Sequence, residues 1–222
     1  MFFISNFIYA AICSLPIVMF APIDTNYREI RESKHFTVGI LGAEYRPNII
    51  ESLSGAVGLG INWDPWYLSF DSDSLNAEKI DTYASQDPYI EVNKAHKISF
   101  YASYYLQEES SFYINFISNI VRVPFEYKIK SMDVYANSQD RTLMKFTTTY
   151  ISYGVGIGWH CIWESGLSIL AGIDFSITAT SFSSVDSRQD GLSSKTKDLL
   201  LTQYEDEHLF PFSSKFMLGY SF

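Results

Sequence analysis

The sequence predicts an all-β protein, an antiparallel up-and-down transmembrane β-barrel of eight strands. Three observations lead to this prediction. Apolar and polar residues alternate with period two over most of the chain after His35, as in strands with one apolar and one polar face. Long and short connections between these segments alternate along the chain, as they do when one side of the membrane carries short turns and the other carries long loops. Aromatic residues make up 17% of the chain and charged residues 18%, at a mean hydropathy close to zero.

The N-terminal segment has the composition of an export signal. Residues 1–21 are mostly apolar and carry no charge, which predicts a signal segment cleaved near Ala21. The basic residue that usually opens such a segment is missing, so an uncleaved anchor stays an alternative. Residues 22–35 are then expected to form an N-terminal periplasmic extension. After residue 21 no apolar run reaches the roughly 18 residues of a transmembrane helix.

Eight segments carry the strand pattern and are expected to form the barrel wall, which spans residues 36–222; ten strands is an alternative count. The segments are 36–46, 55–63, 66–74, 96–108, 111–123, 145–162, 166–183 and 209–222. In the clearest, 166–183, every second residue from Leu167 to Ala179 is apolar, and those between are mostly small or polar. Strands of about 9–11 residues suffice for a tilted membrane crossing.

The fourth, sixth and eighth segments repeat this alternation. Their expected apolar faces contain Ile98, Phe100, Ala102, Tyr104 and Leu106 in the fourth, Ile151, Tyr153, Val155, Ile157 and Trp159 in the sixth, and Phe210, Phe212, Phe216, Leu218, Tyr220 and Phe222 in the eighth. Aromatic residues also gather at the expected short-turn ends, as in the girdles at a membrane interface. They are Trp63, Trp66, Tyr67, Trp159 and Trp163.

The connections predict the orientation of the barrel. The short ones are Asp64-Pro65, Glu109-Ser110 and Trp163-Glu164-Ser165, and the long ones are 75–95, 124–144 and 184–208. The long connections are expected outside the cell, and the last of them is expected to be mobile. With an even number of strands both termini lie on the short-turn, periplasmic side. The first connection, 47–54, is an exception because it is short where a long loop is expected.

Three charged residues on polar strand faces are candidate lumen residues. Because a charge facing lipid is costly, Lys97, Asp174 and Lys215 are expected to point inward. Asp174 and Lys215 fall at comparable heights on neighbouring strands, which predicts an ion pair. The pair is expected to fill and rigidify the lumen, and a gate or selectivity element is the alternative.

The C-terminus carries the one stretch that is similar to a known motif. Phe216, Leu218, Tyr220 and Phe222 alternate up to the last residue, and this resembles the C-terminal β-signal of bacterial outer-membrane proteins. The hairpin of 154–159 and 166–169 resembles those of small barrels such as OmpX, OmpW and the OmpA transmembrane domain. The resemblance implies location in the bacterial outer membrane, contact with its lipid, and recognition by the barrel assembly machinery.

Signals for chemistry are weak, and we predict that the protein is not an enzyme and has no catalytic, cofactor or metal site. His160, Glu164 and Ser165 contain the residue types of a hydrolase triad, but no G-x-S-x-G occurs and two of the three lie in a short turn. The glycines of 154–158 alternate with apolar residues, which favours small inward residues in a narrow lumen over a phosphate loop.

Two further partner classes are disfavoured. Asp71-x-Asp73 opens like a calcium loop, but Asn76 and Thr82 replace the glycine and glutamate that such a loop requires. A solvated acidic loop is therefore expected, and a loose surface calcium site is the alternative. The formal net charge of -9 disfavours nucleic acid, because phosphate contacts need a basic surface.

The function predicted from these observations is a structural or surface-interaction role. An eight-stranded barrel has an interior about filled by its own side chains, and its acidic loops would be displayed to host or environmental ligands. A narrow channel or a transporter of small hydrophobic solutes is the alternative. A lipid-modifying enzyme, or a soluble lipocalin-like calyx with its apolar face inside, fits less well.

Overall fold

The computed structural model describes residues 27–45, 56–75, 89–92, 94–106, 111–129, 141–188, 192–206 and 212–222. The two described helices are α1 (Tyr27–Ser33) and α2 (Ser194–Asp206). The strands are β1 (Phe36–Tyr45), β2 (Ala56–Trp63), β3 (Trp66–Leu75), β4 (Tyr89–Val92), β5 (Ala95–Tyr105), β6 (Phe112–Ile129), β7 (Arg141–Ile162), β8 (Leu167–Arg188) and β9 (Phe212–Ser221). Neither helix is long and apolar enough to cross a membrane.

The strands form one antiparallel sheet that closes on itself. The order β6-β5-β3-β2-β1-β9-β8-β7 returns to β6 through the β6–β7 pairing, so eight strands form a ring. The predicted fold class, an up-and-down β-barrel of eight strands, is confirmed. The ninth strand, β4, pairs with the far part of β6, from Val92 opposite Phe125 to Tyr89 opposite Lys128. It lies within the segment 75–95, which the sequence pattern assigned to a loop.

The barrel is taller on one side. β6, β7 and β8 contain 18, 22 and 22 residues, against 10 in β1, β3 and β9. The three long strands, together with β4, continue past the rim as a wall that we call the extension. The predicted segments 111–123 and 166–183 end too early and 145–162 begins too late, because the apolar-outward pattern used to find them stops where the wall leaves lipid.

A β-bulge in β8 changes which residues face inward. Ile151 pairs with Thr180 and Ser152 pairs with Thr178, so Ala179 is an extra residue in the ladder. A one-residue insertion moves all later side chains to the other face. Val185, an odd-numbered residue like those on the outer face below the bulge, therefore packs inside the extension.

The two faces of the ring have opposite character. The lipid face is apolar, with Ile40, Val57, Leu59, Phe116, Ile177 and Phe222 all more than half exposed. The inner face is polar over the height of this belt, where Thr37, Ser69, Ser99, Asn115, Asn119 and Ser152 are buried. Because a soluble calyx needs the reverse arrangement, the lipocalin-like alternative is wrong. Tyr67 is fully buried, so it belongs to the lumen and not to the predicted interface girdle.

The two ends of the barrel are named here by their connections. The short-turn mouth carries the β2–β3 and β7–β8 turns and the C-terminal Phe222, whose carbonyl accepts a hydrogen bond from the Phe36 amide at 3.0 Å. The long-loop mouth carries the extension. Helix α2 lies there, within the segment 184–208 that the sequence pattern assigned to a loop.

Candidate functional site

The middle of the lumen holds a buried group of charges. Asp71, Asp73, Lys97, Asp174 and Lys215 all have exposures of 6% or less. The three charges chosen from the sequence, Lys97, Asp174 and Lys215, thus lie inside the barrel. Asp71 and Asp73 are additions, because the sequence placed them in a solvated acidic loop, and this was wrong. Their even spacing from the lumen-facing Ser69 on β3 was the signal that could have revealed them.

Lys215 crosses the lumen. Its Nζ lies 3.7 Å from Oδ2 of Asp71 on β3 and 3.2 Å from the ring centroid of Tyr101 on β5. An ammonium group over an aromatic face is attracted by the negative potential of the ring. Side chains from three strands of the wall therefore meet inside the lumen.

Asp174 occupies the neighbouring position. It accepts a hydrogen bond from Nδ2 of Asn115 at 3.1 Å. In the β8–β9 ladder Gly172 is opposite Lys215 and Asp174 is opposite Ser213, so Asp174 and Lys215 are diagonal neighbours on the same face. Their coupling stays a prediction, and the ion pair described for Lys215 is with Asp71.

Glycines of the wall make room for these side chains. A Cβ atom on Gly58 would lie 2.5 Å from Oδ1 of Asp71, and one on Gly156 would overlap the Oδ1 atoms of Asp174 and Asn115. The inward glycines predicted at 154–158 therefore do provide space, here for polar groups that fill the lumen.

The short-turn mouth is covered by α1. Arg31 is 1% exposed, its Nε lies 2.7 Å from Oδ1 of Asp64, and its guanidinium carbon lies 4.0 Å from the ring centroid of Tyr105. Nδ2 of Asn62 donates to the carbonyl of Lys34 at 2.5 Å. Sequence reasoning could not place Arg31 inside the barrel, because 22–35 lacks the alternating pattern.

A buried hydrogen-bond chain lies beneath α1. The hydroxyl of Tyr105 is 2.6 Å from Nδ1 of His160, and Nε2 of His160 is 2.8 Å from Oγ of Ser168. All three residues are 2% exposed or less. The hydrogen-bond partners described for His160 are thus Tyr105 and Ser168, while Glu164 and Ser165 are exposed in the turn.

The long-loop mouth holds an apolar core that we call the cap. It consists of Val92, Ala95, Val121, Val123, Phe125, Met144, Phe146, Tyr150 and Leu200. Tyr204 of α2 packs against it, with its ring centroid 4.5 Å from that of Phe125. The Tyr150 hydroxyl donates to the carbonyl of Tyr204 at 2.6 Å, and the Ser183 amide donates to Oε1 of Glu205 at 2.8 Å. The two contacts hold α2 against β7 and β8.

Charged pairs fasten β4 and β7 to β6 in the extension. Glu126 Oε2 lies 2.9 Å from Nζ of Lys128, and its Oε1 lies 2.7 Å from Nζ of Lys145. Lys128 also pairs with Glu91 of β4. Burial by itself lowers the pKa of Lys128, but the hydrogen bonds with Glu91 and Glu126 outweigh it and raise the pKa above its ordinary value.

The residues of the C-terminal motif lie on β9 and directly after it, at the seam with β1. Leu218, Tyr220 and Phe222 are 49%, 54% and 58% exposed on the outer face, while Phe216 is partly buried beside Ala171. Val38 pairs with Tyr220 and Ile40 with Leu218, so this strand completes the ring.

Comparison with known proteins adds a likeness of fold. No protein-family model and no curated protein sequence matches the chain. It is similar to the crystal structure of Neisserial surface protein A, with 11% identity and a TM-score of 0.36 over 84% of this chain and 92% of that one. It is also similar to a major outer membrane protein from Thermus thermophilus, with 13% identity and a TM-score of 0.42 over 86% of this chain and 100% of that one.

The surface of the ring indicates the environment in which the protein lies. A closed antiparallel barrel leaves no backbone edge in lipid, and an apolar belt around a polar interior is the architecture of outer-membrane barrels. The chain is an integral outer-membrane β-barrel. The finer resemblance to the OmpX, OmpW and OmpA-transmembrane barrels stays a prediction.

Proposed function

We propose that the protein has a structural or surface-interaction role and that its lumen does not conduct. The observation that carries this proposal is that a helix of the chain lies at each mouth with a side chain buried there, α1 at one end and α2 at the other. Arg31 of α1 and Leu200 of α2 are both buried. Between them the Lys215–Asp71 contact crosses the lumen. A barrel filled at three levels is better suited to presenting a surface than to passing a solute.

The extension is the surface that we propose for interaction. The extension lies beyond the apolar belt on the side of the long loops. It is ordered by the packing of α2 and by the charged pairs among β4, β6 and β7. Lys145 is exposed on its outer wall and Lys195 on α2. Its partners are proposed to be host or environmental ligands. The lipid of the outer membrane contacts the belt, and we propose that β9 is the strand recognised by the assembly machinery.

A narrow channel is the second candidate, and one observation favours it. Asp71, Ser99, Asn119 and Ser152 are opposite one another on consecutive strands β3, β5, β6 and β7, and all are buried in the lumen. Such a row of polar side chains supports a hydrated path. Catalysis is not proposed, because the His160–Ser168 pair is sealed beneath α1.

Planar-bilayer recordings of the refolded protein separate the two candidates. We expect no steady conductance step from the wild-type chain. The control lacks 22–33, carries a Gly-Ser linker in place of 194–206, and has Lys215→Ala. We expect this variant to conduct, since all three obstructions are removed. A steady step from the wild-type protein would overturn the proposed closure and favour the channel.

Labelling of intact cells tests the proposed display. A membrane-impermeant amine reagent is expected to modify Lys145 and Lys195, while Lys215 serves as an internal control because it is buried in the lumen. Labelling of the first two lysines only after the outer membrane is permeabilised would contradict the outward orientation of the extension.

A further inference from the structure

We propose that the short-turn mouth contains a binding site for a guanidinium group, formed by Asp64 and Tyr105. Arg31 of α1 fills this site in the closed protein. A free cation of the guanidinium class binds there when the Arg31 side chain is absent. The inference concerns this mouth alone and does not depend on whether the lumen conducts.

The site has the two elements that recognise a guanidinium. The Asp64 carboxylate is 2.7 Å from Nε of Arg31, and the Tyr105 ring lies 4.0 Å from its guanidinium carbon. A carboxylate provides a charge-assisted hydrogen bond, and an aromatic ring provides a face for the planar cation. The side chains of Arg31 and Asp64 are 2% and 9% exposed, so little water competes with these contacts.

The chain holds both elements in place without help from Arg31. Asp64 lies in the short β2–β3 turn, and the carbonyl of the next residue, Pro65, accepts a hydrogen bond from the Tyr105 amide at 2.9 Å. The hydroxyl end of Tyr105 is fixed by His160, which is itself fixed by Ser168. The carboxylate and the ring are therefore linked through the backbone and remain positioned when the site is empty.

The chemistry of the site favours a guanidinium over an ammonium ion. A guanidinium is planar, more weakly hydrated, and able to donate along its edge while its face meets a ring. An ammonium group is compact and strongly hydrated, so it loses more on entering a buried site. Arg28 offers the matched comparison, because it lies on the same helix, 3.8 Å from Oδ2 of Asp64, but its side chain is 44% exposed.

The helix that carries Arg31 depends on this site. α1 has 7 residues, and isolated helices shorter than about 12–15 residues are marginal in water. Arg31 thus acts as a tethered ligand whose effective concentration at the site is high. A free guanidinium does not compete with it, which is why the test removes the side chain.

The test measures docking of α1 in the refolded full chain in detergent micelles. Chymotrypsin cleaves after Tyr27, which is buried at the mouth, and intact mass reports the cut. Cleavage of Arg31→Ala is expected to be roughly tenfold faster than that of wild type, since a buried charge-assisted contact is lost. Arg28→Ala is expected to change the rate less than about twofold, as is usual for exposed pairs. Heat-modifiable migration on gels verifies that each variant folds.

Chemical rescue then identifies the ligand class. Methylguanidinium chloride is expected to slow cleavage of Arg31→Ala, while methylammonium chloride at the same concentration leaves it fast. Calorimetric titration is expected to show methylguanidinium binding to Arg31→Ala and none to wild type. Arg31→Ala combined with Asp64→Asn is expected to lose both responses. The proposal is overturned by cleavage of Arg31→Ala at the wild-type rate, by equal rescue with methylammonium, or by a response that survives Asp64→Asn.

Discussion

Lys215 on β9 contacts Asp71 on β3 across the lumen, with 3.7 Å between Nζ and Oδ2. β1 and β2 separate these two strands in the ring, so the contact joins parts of the wall that share no backbone hydrogen bonds. The Tyr101 ring holds the same ammonium group from β5. This contact therefore ties the barrel together across its interior and obstructs it at the same level.

The Lys215–Asp71 pair is expected to be energetically coupled. Lys215→Met or Asp71→Asn leaves one buried charge without its partner, which costs about 3–5 kcal/mol in a dry interior and less where lumen water remains. The double variant is expected to recover part of the loss. Urea unfolding of the refolded protein provides the free energies of unfolding.

The matched control is a second double-mutant cycle, in which Asp174→Asn is combined with Lys215→Met in place of Asp71→Asn. Asp174 is the partner expected from the sequence, and it accepts a hydrogen bond from Asn115. We expect the Asp71 cycle to show the larger deviation from additivity. Additive losses in the Asp71 cycle would show that the two residues are not coupled.

Overfilling the lumen at Gly156 is expected to destabilise the barrel. A Cβ there would overlap Asp174 and Asn115 and lie 2.7 Å from the Ile173 carbonyl. Because the last of these is backbone, Gly156→Val is expected to cost about 1–3 kcal/mol, the usual range for overpacking. Val155→Ile, one position away on the lipid face, is the control and should change the urea midpoint little. A midpoint for Gly156→Val equal to that of the control would mean that the lumen has spare room.

Within the membrane the sequence predicted the fold because lipid imposes the pattern. Residues such as Ile98, Phe100 and Val155 must be apolar where they meet lipid, and their lumen-facing neighbours are free to be polar. This alternation determined the ring strands, their faces and the expected positions of Lys97 and Lys215. It could not reveal the partner of a lumen charge, since pairing across the barrel depends on which walls approach each other.

Outside the membrane the same rule fails. In the extension Phe125, Met144 and Phe146 point inward and form part of the cap, so the apolar face is the inner one. The bulge at Ala179 moves Val185 to this face, and a single extra residue leaves no strong mark in the sequence. Arg31 lies in a short helix without a periodic signal, and its burial depends on the tertiary position of Asp64.

The seating of α2 on the cap is expected to depend on Leu200. Leu200 is 8% exposed, whereas the adjacent Leu199 is 64% exposed, so the two form a matched pair. Leu200→Ala removes buried methyl groups, a change that costs about 2–5 kcal/mol in cores, and α2 is expected to leave the mouth more often. Trypsin added to intact cells should then cut after Lys195 or Lys197 at least roughly 25-fold faster, since about 1.4 kcal/mol corresponds to one decade and the lower limit of the cost is about 2 kcal/mol. Equal rates for Leu200→Ala and Leu199→Ala would contradict the packing.

The Lys128 network is expected to hold β4 on β6 through neutral pH and into the alkaline range. Burial lowers the pKa of Lys128, but the hydrogen bonds with Glu91 and Glu126 raise it by more, so that the pKa lies above its ordinary value of 10.5. A group with a raised folded-state pKa contributes stability that is fully present below the unfolded pKa and is lost as the pH rises through the folded value. Hydrogen exchange at the β4 amides, corrected for intrinsic rates, should therefore show constant protection between about pH 6 and 9. Lys128→Met should expose these amides at every pH in that range, while Lys145→Met, at the exposed side of Glu126, should have a smaller effect. A loss of β4 protection in the wild-type protein below about pH 9 would show that a group other than Lys128 controls this edge.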